Sequence, residues 1–347
     1  MIVQKTIRAK IVSLTKSKEE KLEREYANFQ LALRNIDAPL YSATKQQAQR
    51  LLKRIKGEVR EQPLVIRRDL FKIQRQETSK VAKWWARVPV FKRSIWVAVE
   101  LPRNQESLLR LDIRECRLVK EVKSWSLRIT VQKETSFIML DPKNVLAVDL
   151  GEKHIATTVL LRDGSFVNPS FYGESVRGLR RHYAWLRKRL GEKKALDTIR
   201  KIRDSERRKV NDILHKISRQ IVDEAVAEHA CIVLGDLKGI RQRSRGRRMN
   251  RIVANMPYFR LSNYVCYKAA WAGVPVYKIK EAWTSKTCHR CGQIGERLSQ
   301  GLFRCPSCNL VYNADLNGAT NIAKRFSDYM LENGASLAMP VNFPRVK

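Results

Sequence analysis

Two cysteine pairs near the carboxyl end of the chain constrain its fold more than any other feature of the sequence. Thirteen residues separate the sequences CHRC and CPSC, which supply Cys288, Cys291, Cys305 and Cys308. Four thiolates can surround Zn²⁺ tetrahedrally, and two short knuckles joined by a hairpin deliver them in that geometry. We therefore predict a zinc ribbon over residues 284–312 that holds one structural Zn²⁺. His289 lies within the first knuckle and is a further candidate ligand, although four thiolates already fill the site.

The charge of the chain indicates what it binds. Lys and Arg total 69 against 34 Asp and Glu, which gives a net charge of +35. A surplus of this size repels itself unless a polyanion covers it, and nucleic acid is the usual polyanion. We therefore predict nucleic-acid binding that weakens steeply with salt, because phosphate contacts release counterions.

Membrane and secretory functions are disfavoured. No apolar stretch approaches the ~18 residues of a membrane span. The amino-terminal sequence MIVQKTIRAKIVSL lacks the apolar segment and the small-residue cleavage site of a signal peptide. We expect a cytoplasmic protein of the prokaryotic cytosol or nucleoid, without a membrane partner.

The amino-terminal part changes its hydrophobic period along the chain. Residues 1–16 contain a strand, and residues 17–80 show apolar positions at helical spacing and form a basic helical module. Residues 81–138 alternate apolar and polar side chains, which is typical of antiparallel strands in a small barrel or sandwich. We hypothesise that the first strand pairs back into this sheet, so that the helical module is an insertion.

From residue 139 onward, strands and helices alternate. The apolar strand NVLAVDLG ends in Asp149, and Asp163-Gly164 marks the turn of a hairpin that follows it. Long basic helices and two further strands, CIVLGDL and VPVYKIKEA, come next. Mixed strands with central apolar runs predict an α/β layer with helices on both faces.

Two acids suggest a chemistry for this layer. Asp149 ends an apolar strand, and Asp315 follows the cysteine pairs in the sequence YNADLNGATNIA. Hydrolysis of phosphodiesters assisted by Mg²⁺ needs several carboxylates that converge on the metal. In so basic a chain, the two acids favour a metal-dependent nuclease.

Four segments in order, AVDLGEKHIATTV, IVLGDLKGI, TSKTCHRCG and CPSCNLVYNADLNGATNIA, resemble the TnpB (OrfB) family. These proteins are transposon-encoded RNA-guided DNA endonucleases related to the type V CRISPR effectors. The resemblance is specific from about residue 143 to residue 325 and weaker before that.

The resemblance implies an α/β RNase H-like (RuvC) nuclease domain, formed by residues 139–283 and 313–347 around the zinc ribbon. It implies that residues 1–16 and 81–138 form a wedge β-barrel, with the helical recognition module inserted. It also implies that a guide RNA and a target double-stranded DNA are the partners, that two Mg²⁺ ions are bound, and that Asp149, a Glu on a later strand and Asp315 bind them.

The position of that Glu is occupied by Gly235, which cannot bind a metal through a side chain. We consider three explanations. Glu281 ends the next predicted strand, where a side chain reaches a similar point, and the resemblance includes relatives with a relocated Glu here. Asp236 is adjacent in sequence, but it faces the other side of a regular strand. In the third explanation, the protein is a nuclease-inactive regulator that binds DNA under RNA guidance.

Two basic segments are the candidates for contact with nucleic-acid backbones. Residues 177–209 carry Arg and Lys on most faces of the predicted helices, and residues 241–251 form the sequence RQRSRGRRMNR. Helices and loops this densely charged favour contact with phosphates.

Overall fold

The structure is a computed structural model that describes residues 1–55, 57–122, 124–137, 144–236, 246, 257–280, 283–299, 301–333 and 341. Glu281 and the basic loop 241–251, apart from Gly246, lie outside the described residues. The chain divides into two compact units, Ile2–Glu134 and Thr135–Lys347, with Met1 assigned to the second. None of the helices in the described ranges is long and apolar enough to cross a membrane.

The first unit is built on one antiparallel sheet of seven strands in the order β2-β6-β7-β1-β5-β4-β3. The strands are β1 (Ile2–Val12), β2 (Leu64–Ile66), β3 (Lys72–Arg75), β4 (Trp84–Val90), β5 (Arg93–Glu100), β6 (Asp112–Glu121) and β7 (Ser124–Glu134). A 3-10 helix, Arg103–Arg110, connects β5 to β6. The hypothesis that the first strand returns to this sheet is confirmed, because β1 pairs with both β5 and β7.

The sheet curls, because its two edge strands are neighbours in sequence. The five residues between Ile66 and Lys72 allow the edges to lie at most about 22 Å apart. A flat sheet with strands spaced about 4.8 Å apart would separate these edges by about 29 Å. The sheet must therefore bend towards closure.

The helices of this unit cover less of the chain than the sequence predicts. Helices α1 (Lys16–Ala32) and α2 (Ser42–Leu52) lie between β1 and β2 in sequence, and α1 buries Leu22 and Phe29 fully. The sequence predicts a helical module over residues 17–80. After Leu52, however, the chain forms β2 and β3, which belong to the sheet. These strands have three and four residues, too few for alternation to be visible in the sequence.

The second unit contains a mixed sheet in the order β10-β9-β8-β11-β12. Its strands are β8 (Val145–Asp149), β9 (Ala156–Arg162), β10 (Ser165–Tyr172), β11 (Cys231–Asp236) and β12 (Val276–Lys280). β11 runs parallel to β8 and β12, whereas β9 is antiparallel to β8 and β10. The predicted hairpin turn is confirmed, since Asp163 and Gly164 have φ of 49° and 77° between β9 and β10.

Helices cover both faces of this sheet, as predicted for an α/β layer. They are α3 (Glu174–Glu192), α4 (Leu196–Ala227), α5 (Tyr258–Ala272) and α6 (Ala314–Asn333). On one face, Leu146, Val148, Ile232 and Leu234 pack with buried residues of α4 and α5. On the other face, Val145, Ala147, Cys231 and Val233 pack with Leu316, Ala319, Ile322 and Phe326 of α6.

A small three-stranded sheet lies between β12 and α6 in sequence. It consists of β13 (Glu296–Arg297), β14 (Leu302–Arg304) and β15 (Val311–Asn313), paired antiparallel. Phe303 is fully buried and packs with Cys288, Cys305 and Ala314. The ribbon and the first residue of α6 therefore share a small apolar core.

Candidate functional site

Two carboxylates, Asp149 and Asp315, converge where β8 ends and α6 begins. Asp149 is the last residue of β8, and Asp315 is the second residue of α6, with a side chain only 5% exposed. Gly318, one turn further along α6, allows the helix to approach the strand, since a Cβ there would lie 2.8 Å from Asp149 Oδ2. The two acids singled out in the sequence are thus brought together.

The convergence changes the acidity of Asp149. Burial, and after it the negative charge of Asp315, raise the pKa of Asp149 from 3.8 to about 7. The positive charge of Arg297 and a backbone hydrogen bond from Leu150 act in the opposite direction. Perturbed acids of this kind occur at functional sites more often than elsewhere.

Two residues that the sequence does not single out hold Asp315. Arg297 of β13 donates a hydrogen bond of 2.7 Å to Asp315 Oδ1, and His154 Nδ1 lies 3.0 Å from Asp315 Oδ2. When Asp315 is ionised, its oxygens only accept hydrogen bonds, and Nδ1 of His154 is then the donor of this contact. His154 is only 8% exposed, which fixes its ring beside the acid.

The start of α6 is set locally by Asn313. Its Oδ1 accepts hydrogen bonds from the backbone N–H groups of Asp315 and Leu316, at 2.9 and 3.0 Å. This is the role of a helix N-cap, for which asparagine is among the preferred residues. Asp315 also lies in the first turn, where the helix dipole favours a negative charge.

The register of the sheet decides which acids can share this site. Val233 packs on the α6 face and Leu234 on the opposite face. Alternation along β11 then assigns Gly235 to the α6 face, the face of Asp149, and Asp236 to the opposite face. Gly235 pairs with Ile279 of β12, which also packs on the α6 face.

The four cysteines of the two pairs come together in the ribbon. Their Sγ atoms all lie within 4.8 Å of one another, with separations of 3.6 Å for Cys288–Cys308 and 3.5 Å for Cys291–Cys305. A tetrahedral zinc with Zn–S bonds of about 2.3 Å requires Sγ separations of about 3.8 Å. The cluster could therefore hold a zinc ion.

The ribbon is tied to α6 by amide side chains. Asn317 donates to the carbonyl oxygen of Thr287 at 2.8 Å, and Asn321 donates to those of Thr284 and Thr287 at 2.8 and 2.7 Å. His289 directs both its backbone N–H and its Nδ1 to Asn317 Oδ1. His289 thus binds α6 through Nδ1, and burial lowers its pKa.

Helices α3 and α4 present a basic surface. The exposed cations of the two helices and of the connection between them include Arg181, Lys188, Arg189, Lys193, Lys194, Arg200, Lys201, Arg207, Arg208 and Lys209. Only a minority have an ion pair on the same helix, such as Arg200 with Asp197. The predicted basic segment 177–209 is therefore largely solvent-facing and available to a polyanion.

Comparison with known proteins identifies proteins that are similar to this chain in sequence. Residues 258–322 match the family model of the Cas12f1-like TNB domain. A TnpB-like protein of Methanocaldococcus jannaschii is 26% identical over 61% of this chain and 83% of its own length. The CRISPR-associated endodeoxyribonuclease Cas12f1 of Sulfoacidibacillus thermotolerans is 32% identical over 57% of this chain, which spans only 50% of that protein.

A solved structure has the same fold. The Cas12f1 chain in a complex with sgRNA and target DNA superimposes with a TM-score of 0.57 and 15% identity, over 80% of this chain and 69% of that chain. The family model covers both cysteine pairs and Asp315, and the superposition extends over most of this chain. The resemblance of this chain to the TnpB family and to the related Cas12f effectors is thereby confirmed.

Proposed function

We propose that the chain is an RNA-guided, Mg²⁺-dependent DNA endonuclease that cuts guide-complementary DNA next to a short motif read by the protein. The observation that carries the proposal is the convergence of Asp149 and the buried Asp315 beside a cysteine-rich ribbon. The similar Cas12f1 of Sulfoacidibacillus thermotolerans is named as an endodeoxyribonuclease, and a Cas12f1 was solved in a complex with sgRNA and target DNA. We extend that activity and those partners to this chain.

The donor set fits a hard divalent cation. Two carboxylates meet with one guanidinium among their neighbours, which leaves a net negative charge when both acids are ionised. Mg²⁺ takes oxygen ligands and binds proteins through one or two carboxylates. When bound, Mg²⁺ would activate the attacking water and neutralise charge on the leaving oxygen, and two such ions are expected.

The chain's own residues prepare this site. Arg297 and His154 fix the two oxygens of Asp315, and Gly318 leaves space beside Asp149 Oδ2. Because its pKa is raised, Asp149 keeps its proton to a higher pH than a free aspartate does, and a bound cation would favour its ionised form. In the hydrolysis, a water oxygen bonds to phosphorus, the bond to the leaving oxygen breaks, and that oxygen takes up a proton.

We propose Glu281 as the third carboxylate. Ile279 lies on the α6 face, the face of Asp149, and a strand that continued its alternation would give the residue two positions later the same face. Asp236, the competing candidate, belongs to the opposite face by the same rule. The register therefore supports Glu281 over Asp236 as the replacement for the acid missing at Gly235.

The remaining parts take the roles that the resemblance implies. The second unit would be the RuvC-like nuclease, with the ribbon 284–312 holding one structural zinc. The first unit would be the wedge, carrying α1 and α2 as the recognition module. The basic surface of α3 and α4 would contact nucleic-acid backbones, while base pairing with the guide selects the target.

Gly235 also motivates a second candidate function, a nuclease-inactive regulator that binds DNA under RNA guidance. Gly235 occupies the position of β11 that faces Asp149, and it has no carboxylate. This candidate keeps the guide RNA, the target DNA and the structural zinc, but it loses the hydrolysis.

Cleavage of a target plasmid separates these functions. RNA that co-purifies with the full chain would be sequenced, and a matching target with randomised flanks would be offered in Mg²⁺. We expect the wild type to cut, Asp149→Ala and Glu281→Ala to bind the target without cutting, and Asp236→Ala to cut. Target binding without cutting by the wild type would establish the regulator. Cutting by Glu281→Ala would remove that residue from the site.

A further inference from the structure

Trp283 adopts a backbone conformation that a tryptophan rarely takes. It follows β12, and its φ is 68° while its side chain is 63% exposed. Left-handed backbone suits Gly and Asn, whereas a bulky residue keeps it only where the surrounding structure enforces it. Because the ring is largely exposed, packing does not explain why a tryptophan occupies this position.

The surroundings do enforce this conformation. The carbonyl oxygen of Trp283 accepts hydrogen bonds from the backbone N–H groups of Lys286 and Thr287, both at 2.9 Å, and from Thr287 Oγ1 at 3.0 Å. Thr284 is only 3% exposed, and its carbonyl oxygen is bound by Asn321. The turn is therefore held from both sides, and it presents the indole to solvent.

The turn lies close to the paired acids. Asn317 binds the carbonyl oxygen of Thr287 at 2.8 Å, and Asn317 follows Asp315 by two residues, about 3 Å along the helix axis. Strands β8 and β12 both run parallel to β11 and end at the same edge of the sheet. Trp283 follows the end of β12, and Asp149 ends β8.

A cation completes the arrangement. Lys286 Nζ lies 5.3 Å from the centre of the Trp283 ring. Proteins that bind single strands without sequence preference combine exposed aromatic rings, on which bases stack, with cations that follow the backbone. A guided nuclease needs such tolerance, because the sequence at its cutting site changes with the guide.

We propose that Trp283 is a stacking platform for an unpaired base of the DNA strand that enters the site of Asp149 and Asp315. This proposal rests on the proposed nuclease function. The ring would hold a base on one side of the scissile phosphate, and Lys286 would lie near the backbone of the same strand.

Binding of a single-stranded DNA oligonucleotide carrying 2-aminopurine tests the proposal, with full-length protein and no added divalent metal. The variants are Trp283→Asn, which suits the backbone but lacks the ring, and Trp283→Phe, which keeps a ring. We expect Trp283→Asn to weaken binding about 5- to 100-fold, with Trp283→Phe much closer to the wild type. Phe259→Ala is the matched control, because Phe259 is 73% exposed on α5, across the sheet from α6, and should leave binding unchanged.

Thermal unfolding and a parallel measurement of binding to single-stranded RNA complete the test. We expect the Tm of Trp283→Asn to equal or exceed that of the wild type, because Asn tolerates the left-handed backbone. A lower Tm with unchanged DNA binding would assign the ring to structure and overturn the proposal. Loss of binding to single-stranded RNA of the same sequence, with DNA binding unchanged, would also overturn it.

The two proposals fail in different ways. Guided cutting by Trp283→Asn at the wild-type rate and affinity refutes the stacking platform alone. Trp283-dependent DNA binding in a protein that never cuts its guided target refutes the nuclease, while base stacking at Trp283 stands.

Discussion

Gly318 faces Asp149 across the contact between α6 and the end of β8, so closely that a methyl group at position 318 would lie 2.8 Å from Asp149 Oδ2. Glycine is the least favourable helix residue after proline, by about 1 kcal/mol relative to alanine. A glycine inside α6 therefore lowers the stability of the helix at the position where the helix approaches Asp149.

We expect Gly318→Ala to lower guided cleavage at least about 10-fold, because the new Cβ displaces a carboxylate that must be accurately placed. Gly178→Ala is the matched control, since Gly178 lies within helix α3 and a Cβ there meets nothing within 4 Å. The control should keep its activity and gain up to about 1 kcal/mol of stability. Equal cleavage by both variants would show that Asp149 does not need this space. Cleavage rates and Tm values of both proteins provide the measurement.

The raised pKa of Asp149 makes stability depend on pH. Its pKa is 3.8 when unfolded and about 7 when folded, so the folded state binds the proton more tightly. Stability from this group is greatest below about pH 4 and falls as pH rises to about 7.

Without added divalent metal, Asp149→Asn should therefore be more stable than the wild type at pH 8. The difference in the free energy of unfolding between Asp149→Asn and the wild type should be about 2 kcal/mol smaller at pH 5 than at pH 8. Asp328→Asn, at an exposed position of the same helix, is the control and should behave alike at both pH values. Urea unfolding at the two pH values measures the effect, and a pH-independent difference for Asp149→Asn would contradict the raised pKa.

Arg297 offsets part of the negative charge at the site. Because its charge lowers the pKa of Asp149, Arg297→Gln should raise that pKa further. We expect cleavage at pH 7 to fall about 10-fold and to recover partly at pH 9, where the acid ionises again. Arg304→Gln, an exposed cation of the neighbouring β14, should keep the wild-type pH profile. A uniform loss at every pH would indicate that Arg297 acts through position and not through its charge.

We expect each chain to bind one zinc ion and to lose it when a cysteine of the cluster is replaced. Cys305 is fully buried within the ribbon, so Cys305→Ser should lose the metal and lower the Tm. Cys266→Ser, on α5 and outside the cluster, should retain one zinc. Metal analysis of the purified proteins decides the matter, and full zinc in Cys305→Ser would contradict the assignment of the site.

Local signals in the sequence predicted much of this molecule. The turn at Asp163-Gly164, the apolar run of β8 and the spacing of the cysteines each follow from the chemistry of a few adjacent residues. Such signals are visible because their physical cause lies within a short window. The return of β1 to the first sheet is a long-range feature, and the sequence offered it only as a hypothesis, because the period of a strand does not identify its partner.

The surroundings of the acids could not be predicted in the same way. His154 contacts Asp315 across 161 residues of sequence, and Arg297 reaches it from the ribbon. Neither residue carries a local pattern that distinguishes it from other histidines or arginines of the chain. Gly318 could have been noticed as a glycine inside a helical segment, but its reason, the proximity of Asp149, exists only in the folded protein.

The central position of β1 sets an order for synthesis. Strand β1 ends at Val12, but its two neighbours, β5 and β7, are complete only at Glu100 and Glu134. At about 5–20 residues per second, a ribosome needs roughly 6–24 s for the ~120 residues between the end of β1 and the end of β7. Helices α1 and α2 depend on local contacts and can form in this interval. Until Glu100 has been added, the nascent chain carries a strand whose neighbours are both incomplete, and one edge still lacks its partner until Glu134; unpaired edges of this kind are prone to associate with another chain.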